Sequence, residues 1–142
     1  MSNVELVREF WGLWRNDGFD ELIARYDDFF TEDLEWHSPV ARMAGRSCVG
    51  RAELAQHVAD LRESFTEIKA DPRKIAEIAP DVVRSDVLIH GEGPTSGVVV
   101  DAPLVALARM REARMYWTWA SFDLVAAEEM AGAITRGEEV QA

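Results

Sequence analysis

The apolar residues of this chain change their spacing once, and that change restricts the folds open to it. Through the first half they recur at intervals of three and four; after Ile68 they alternate, in segments of six to thirteen residues. The first spacing lays a stripe along one side of a helix, and the second turns one face of a strand toward a core. One short strand interrupts the helical half.

Val4, Leu6, Val7, Phe10, Trp11, Leu13 and Trp14 predict a first helix with Asn3 as its N-cap. Asn16-Asp17-Gly18 is expected to end it, with Gly18 suited to a left-handed stop. Asp20 is expected to cap a short second helix carrying Leu22, Ile23, Tyr26, Phe29 and Phe30. Thr31-Glu32-Asp33 breaks that pattern, and Leu34–Ser38 reads as a strand stopped by Pro39. A loop with Gly45 and Gly50 spans residues 40–50. Leu54, Val58, Leu61, Phe65 and Ile68 then define a third helix, with His57 assigned to its solvent face.

Strands are predicted over 73–78, 82–90, 98–110 and 114–123, with a turn at Pro80-Asp81 and an interruption at Gly91-Glu92-Gly93-Pro94. Ala126–Ala133 reads as a closing helical turn, and the tail from about Gly132 as a frayed end. Helices first and antiparallel-capable strands afterwards predict an α+β fold. The expected form is a curved antiparallel or mixed sheet wrapped on three N-terminal helices, leaving a cone with an internal pocket. With no internal repeat or linker, residues 1–142 read as a single domain.

Charge removes several functions. The 142 residues carry 15 Lys and Arg against 26 Asp and Glu, a net −11. Such a chain repels nucleic-acid phosphates and anionic lipid, and it has no compensating basic stripe. No apolar run approaches membrane-spanning length. One cysteine, Cys48, permits no internal disulfide and no thiolate metal site, so a reducing, cytoplasmic home is expected. Arg46 and Arg51 beside Cys48 could lower its pKa, but it reads better as an incidental thiol. His37, His57 and His90 lack compact metal-ligand spacing, and Gly91-Glu92-Gly93 is not a phosphate fingerprint, so neither metal nor cofactor is expected.

Alternation over Val82–His90 puts Arg84, Asp86, Leu88 and His90 on one face and Val83, Ser85, Val87 and Ile89 on the other. Two readings stay open. Either the valine face packs on the helices and the charged face meets water, or Arg84, Asp86 and His90 look into the cone. In the second case Arg84 would keep Asp86 ionised and aimed. Glu35 and His37 share a strand face, where His37 could polarise an oxygen or shuttle a proton. Trp117, Trp119 and Ser121 share another, with the two indoles as a wall for a flat apolar ligand. Tyr26 could reach the cavity with its hydroxyl, although core packing suits it better.

Three segments carry a family resemblance: Asp33-Leu34-Glu35-Trp36-His37-Ser38-Pro39, Val49-Gly50-Arg51-Ala52-Glu53-Leu54 and Arg111–Glu129. Together they resemble the SnoaL-like branch of the nuclear-transport-factor-2-like (cystatin-like α+β cone) superfamily. Arg84-Ser85-Asp86 is also similar to the Arg-x-Asp pair of limonene epoxide hydrolase, with Glu35-Trp36-His37 in place of its Tyr-x-Asn and Ser121 at its last-strand Asp.

The resemblance implies a cofactor-free acid/base enzyme acting on a small, mostly apolar, oxygen-bearing substrate. The reaction would be of isomerase, cyclase, dehydratase or epoxide-hydrolase type. Asp86 would be the catalytic acid or base, oriented by Arg84, with His37 on the oxygen and Trp117, Trp119, Ser121, His90, Tyr26 and Glu35 around the substrate. The alternative is a non-catalytic ligand-binding or assembly module of the same fold. The apolar stretch Tyr116–Phe122 suggests a homodimer in either case.

Overall fold

Ser2, one residue earlier than expected, starts the first helix of the computed structural model, which describes residues 1–15, 18–46, 48–93 and 99–142. The Ser2 hydroxyl accepts the Glu5 N–H at 3.1 Å, and the Glu5 carboxylate accepts the Ser2 N–H at 3.2 Å. This reciprocal capping box satisfies two orphan donors of α1 (Asn3–Gly12) and contributes about 1 kcal/mol. Asn3, expected as the cap, instead donates to Glu77 and Asp81, tying α1 to a strand turn.

A 3₁₀ turn, Leu13–Arg15, follows α1. The expected stop at Asn16-Asp17 lies outside the described residues, and Gly18 already begins α2 (Gly18–Ala24). Asp20 therefore stands within the first turn of α2 rather than at its cap. A separate turn, α3 (Tyr26–Phe29), leads into β1 (Phe30–His37), which includes Thr31-Glu32-Asp33. Its pairing slips between Phe30 and Glu35, and an edge strand tolerates polar residues at such a bulge.

Pro39 ends β1 but opens another helix. The Ser38 hydroxyl accepts the Ala41 N–H at 3.1 Å, so Ser38-Pro39 is the start of α4 (Pro39–Met43), inside the expected loop. The third amphipathic helix, α5 (Gly50–Ser64), stops before Phe65. Ile68, expected at its end, belongs to β2 (Glu67–Ala79). That strand pairs with β3 (Val82–Glu92) along its whole length, with a register shift between Pro72 and Lys74 where Pro72 has no N–H to give. Gly91 keeps β3 in register under Phe65, whose ring lies 3.3 Å from where a Cβ would stand. The turn falls at Pro80-Asp81 as expected, with Asp81 at φ 58°.

β4 (Val99–Arg111), β5 (Arg114–Ser121) and α6 (Leu124–Thr135) complete the chain. Asp123 caps α6 through the N–H groups of Val125 and Ala126. The helix continues to Thr135, beyond the point at which the tail was expected to fray. The sheet runs β1-β5-β4-β3-β2, with β1 and β5 parallel and the other neighbours antiparallel. It is the mixed, open α+β arrangement that the sequence order implied.

The sheet separates two cores. On its inner side Val83, Val87, Leu104 and Ala108 pack against Phe10, Trp11, Trp14 and Leu61 of the helices. On its outer side Val82, Val105, Leu107, Trp117 and Trp119 pack under Ala127, Ala131 and Ile134 of α6. No helix among the described residues is long and apolar enough to cross a membrane.

Candidate functional site

Alanines in the middle of β4 leave space between the inner sheet face and the helices. Ala106 and Ala108 fill little of it, and a cavity of about 150 Å³ remains, walled also by Val7, Phe10, Trp11, Trp36, Leu61, Ile68 and Leu104. Phe122 lines it too and is 40% exposed, so the cavity meets solvent near the ends of β1 and β5. Arg42 fastens that end: its guanidinium donates to the carbonyls of His37 and Ala120 and stacks 5.1 Å over Trp119. This clamp holds α4, and with it Pro39 and Val40, against the opening.

Among the described residues, no Asp, Glu, Lys or Arg lines the cavity. Its polar wall consists of Ser38, Ser85, Thr118, two histidines and tryptophan N–H groups. His57 is the titratable side chain buried there, at 4% exposure. This corrects the solvent-face assignment. His57 lies three residues after Leu54 and four before Leu61, which is spacing on the apolar stripe itself. Its ring faces Trp36 at 6.4 Å.

The His57 Nε2 lies 3.3 Å from Ser38 Oγ. That oxygen accepts the Ala41 N–H and keeps its single proton, so with the His57 ring proton on Nδ1 the hydroxyl donates to Nε2. Burial pushes the His57 pKa below its ordinary value; Asp60 works against that shift and Arg46 with it. The imidazole is thus neutral near pH 7 and able to accept a proton.

The residues expected at the site take other positions. β3 presents Val83, Ser85 and Ile89 to the cavity, so Arg84, Asp86 and His90 stand on the outer face. Arg84 donates to both Asp86 oxygens, at 3.0 and 3.2 Å, and to Glu128 of α6. Those carboxylates hold the Arg84 pKa above its ordinary value, and Arg84 holds Glu128 below the usual carboxylate range. Of the two readings of β3, the one that packs the valine face on the helices holds, and Arg84 and Asp86 do not look into the cone. The two valines on the opposite face go to the helix-packed core, and the charged pair binds α6.

His37 reaches the mouth, but its ring turns outward to Glu35 at 3.4 Å and Trp117 at 6.0 Å. The register explains this: Trp36 pairs with Thr118 on the inner face, which leaves Glu35 and His37 beside Trp117 and Trp119 on the outer one. Trp119 borders the cavity, whereas Trp117 is buried beneath α6. The apolar surface behind the expected homodimer is largely covered by the chain's own helix. Ser121 accepts the Asp123 N–H at 3.0 Å, at the start of α6. Tyr26 packs in the core and donates to the Thr31 carbonyl at 2.7 Å, with burial raising its pKa to about 12. Burial likewise lifts Cys48 to about 11, with Glu53 adding and Arg46 opposing, so the flanking arginines do not activate it.

Glu67, His90 and Glu92 each bring one possible metal ligand within 4.8 Å of the others. They form a charge network on the outer face, where Lys69 pairs with Glu67 and Asp101 with His90. Arg-x-Asp chemistry of the limonene epoxide hydrolase kind has no place in the cavity, because the matching pair is outside it.

Known structures share this architecture at low identity. TerC crystallised with polyporic acid is 19% identical, with 92% of this chain and 98% of that chain covered and a TM-score of 0.70. An NTF2-like protein of unknown function from Burkholderia pseudomallei K96243 is also 19% identical, with 95% and 99% covered and a TM-score of 0.72. IdmH of Streptomyces antibioticus, whose assignment as a polyketide cyclase is provisional, is 16% identical, with 93% and 99% covered and a TM-score of 0.67. No curated protein matches the sequence. The profile of the SnoaL-like domain matches residues 7–118, more than three quarters of the chain. Sequence profile and sheet topology agree, and the chain belongs to the SnoaL-like domain family.

Proposed function

We propose that the chain takes a small, uncharged, largely apolar molecule into the cone and moves a proton on it with the Ser38–His57 pair. The reaction would be of isomerase or cyclase type. The observation that carries this reading is a buried His57 hydrogen-bonded to Ser38 in a cavity with no charged side chain among its described residues. Family membership favours it, as do the neighbours' names, with polyporic acid on TerC and the provisional cyclase IdmH. A space of about 150 Å³ is comparable to engineered protein cavities that admit benzene, which limits the ligand held wholly inside to about one ring.

In the tautomer with Nε2 unprotonated, Ser38 Oγ donates to Nε2 and accepts from Ala41, so one lone pair is left. An acidic proton on the ligand passes to that lone pair as Ser38 hands its own proton to Nε2. A ligand that fills the apolar cavity displaces water from it, which strengthens whatever hydrogen bonds the ligand makes.

The test follows deuterium entering 2-cyclohexen-1-one in D2O by proton NMR. Wild-type protein should accelerate exchange next to the carbonyl, and His57→Gln should reduce that rate by about 10²–10⁴ while the ring still binds. A second reading, binding without turnover, is favoured by the lack of a carboxylate among the described residues of the cavity wall. Binding of the ketone with exchange indifferent to His57→Gln would establish that reading instead.

A further inference from the structure

Two indole N–H groups in the cavity wall have no partner. Trp11 and Trp36 both line the cavity, and the Nε1 atom of each is buried without a hydrogen bond. Trp11 as a whole is only 7% exposed. Buried indole N–H groups normally find an acceptor, and leaving one unmet costs about 1–3 kcal/mol. An apolar wall could have used phenylalanine at either position with no such cost. Indole nitrogen donates and never accepts.

The two rings share a neighbour. Phe10 lies 5.0 Å from Trp11 and 6.2 Å from Trp36, centroid to centroid, so both indoles stand at the α1 side of the cavity. Trp36 also faces His57 at 6.4 Å. One orphan donor therefore stands beside the proton-accepting group, and the second is reached across Phe10. No carboxylate or guanidinium lines the wall among the described residues, so an ionic ligand group would find no counter-charge there.

We infer that Trp36 and Trp11 form a hydrogen-bond-donating subsite that selects neutral ligands carrying acceptor oxygen over hydrocarbons and amines of the same shape. Trp36 takes the oxygen nearest His57, and Trp11 serves an acceptor elsewhere on the ring. This rests on the reading of the cavity as the ligand site and adds what kind of ligand it prefers. Discrimination arises because a hydrocarbon leaves both donors unmet, whereas a protonated amine brings a charge to a wall with no carboxylate among its described residues.

Three ring probes of nearly equal size separate the possibilities: cyclohexanone, methylenecyclohexane and cyclohexylamine. Their affinities for the full chain are measured by calorimetry, and the indole N–H resonances are followed by nitrogen-proton NMR. Cyclohexanone should bind about tenfold more tightly than methylenecyclohexane, with cyclohexylamine weakest. It should also move the indole resonances that disappear in Trp36→Phe and Trp11→Phe. Each variant should narrow the ketone preference without weakening the hydrocarbon.

The NMR shifts in unmodified protein keep the test valid if a variant folds poorly. Equal binding of ketone and hydrocarbon, with indole resonances unmoved, overturns the donor subsite and leaves the cavity as a ligand site. Failure of all three probes to bind overturns both.

Discussion

The two faces of β3 differ in how their polar groups are satisfied. On the outer face Arg84 pairs with Asp86 and Glu128, and His90 with Asp101. On the inner face Ser85 stands among apolar side chains at 2% exposure, and the neighbouring wall contains indole donors with no acceptor. A polar group that already has its partners holds structure together, since its hydrogen bonds and charge are used within the chain. One that is buried and unmet marks a place shaped for something else. The face with more charge is the structural one, and the ligand-ready face is nearly devoid of it.

The largest expected effect breaks the inner face at its buried histidine. His57→Gln keeps a polar side chain of similar length but removes the proton acceptor. Exchange of 2-cyclohexen-1-one should slow by about 10²–10⁴, while calorimetry still shows the ring bound. An unchanged rate would remove His57 from the chemistry and leave the two faces distinguished only by shape.

Next comes the space itself. Ala106 stands on the inner face of β4, and Ala106→Phe would place a ring inside a cavity of about 150 Å³. Ligand affinity should drop by roughly 10² or more, at a folding cost of about 1–3 kcal/mol from overpacking. Calorimetry and a denaturant midpoint read the two quantities separately. Undiminished binding would move the ligand out of the cone.

Much of the fold was legible because it rests on period. The change of spacing placed α1, α5 and the strands, and helix-then-strand order gave the α+β cone. The site was less legible, for a physical reason. Alternation assigns residues to two faces but does not say which face the helices cover. Both faces of β3 contain apolar residues, and α6, read as one closing turn, is a full helix that gives the outer face its own core. With that second cover absent from the reading, the charged face of β3 had either water or the cone to meet, and the placement of Arg84 and Asp86 stayed open. His57 was recoverable, since its offsets from Leu54 and Leu61 are those of the buried stripe. Ser38-Pro39 was recoverable too, as a capping residue followed by proline at the first helical position.

A smaller effect compares the faces through pH. Burial lowers the His57 pKa in the folded chain, whereas the unfolded chain keeps the ordinary value near 6.5. Below that value the unfolded state binds a proton that the folded state resists. The stability from a neutral His57 is therefore complete above about pH 6.5. It declines as pH falls from there toward the depressed folded value. Urea midpoints between pH 7.5 and 5 should show that decline, and the His57→Gln profile should be flatter. Identical profiles would mean that His57 is hydrated in solution.

The smallest effect belongs to the outer face, where the resemblance to an Arg-x-Asp pair would have placed the largest. Asp86→Asn removes one of two carboxylates held by Arg84, and Glu128 remains to hold the guanidinium. Asp86 and Glu128 are both substantially exposed, so solvent screens the pair, and the loss should be about 0–1 kcal/mol of stability. Ketone exchange and binding should match wild type. A large fall in exchange with the fold intact would mean that Asp86 reaches the ligand after all. The contrast with His57→Gln would then reverse, because the outer face would hold the acid/base group and the cavity only the ring.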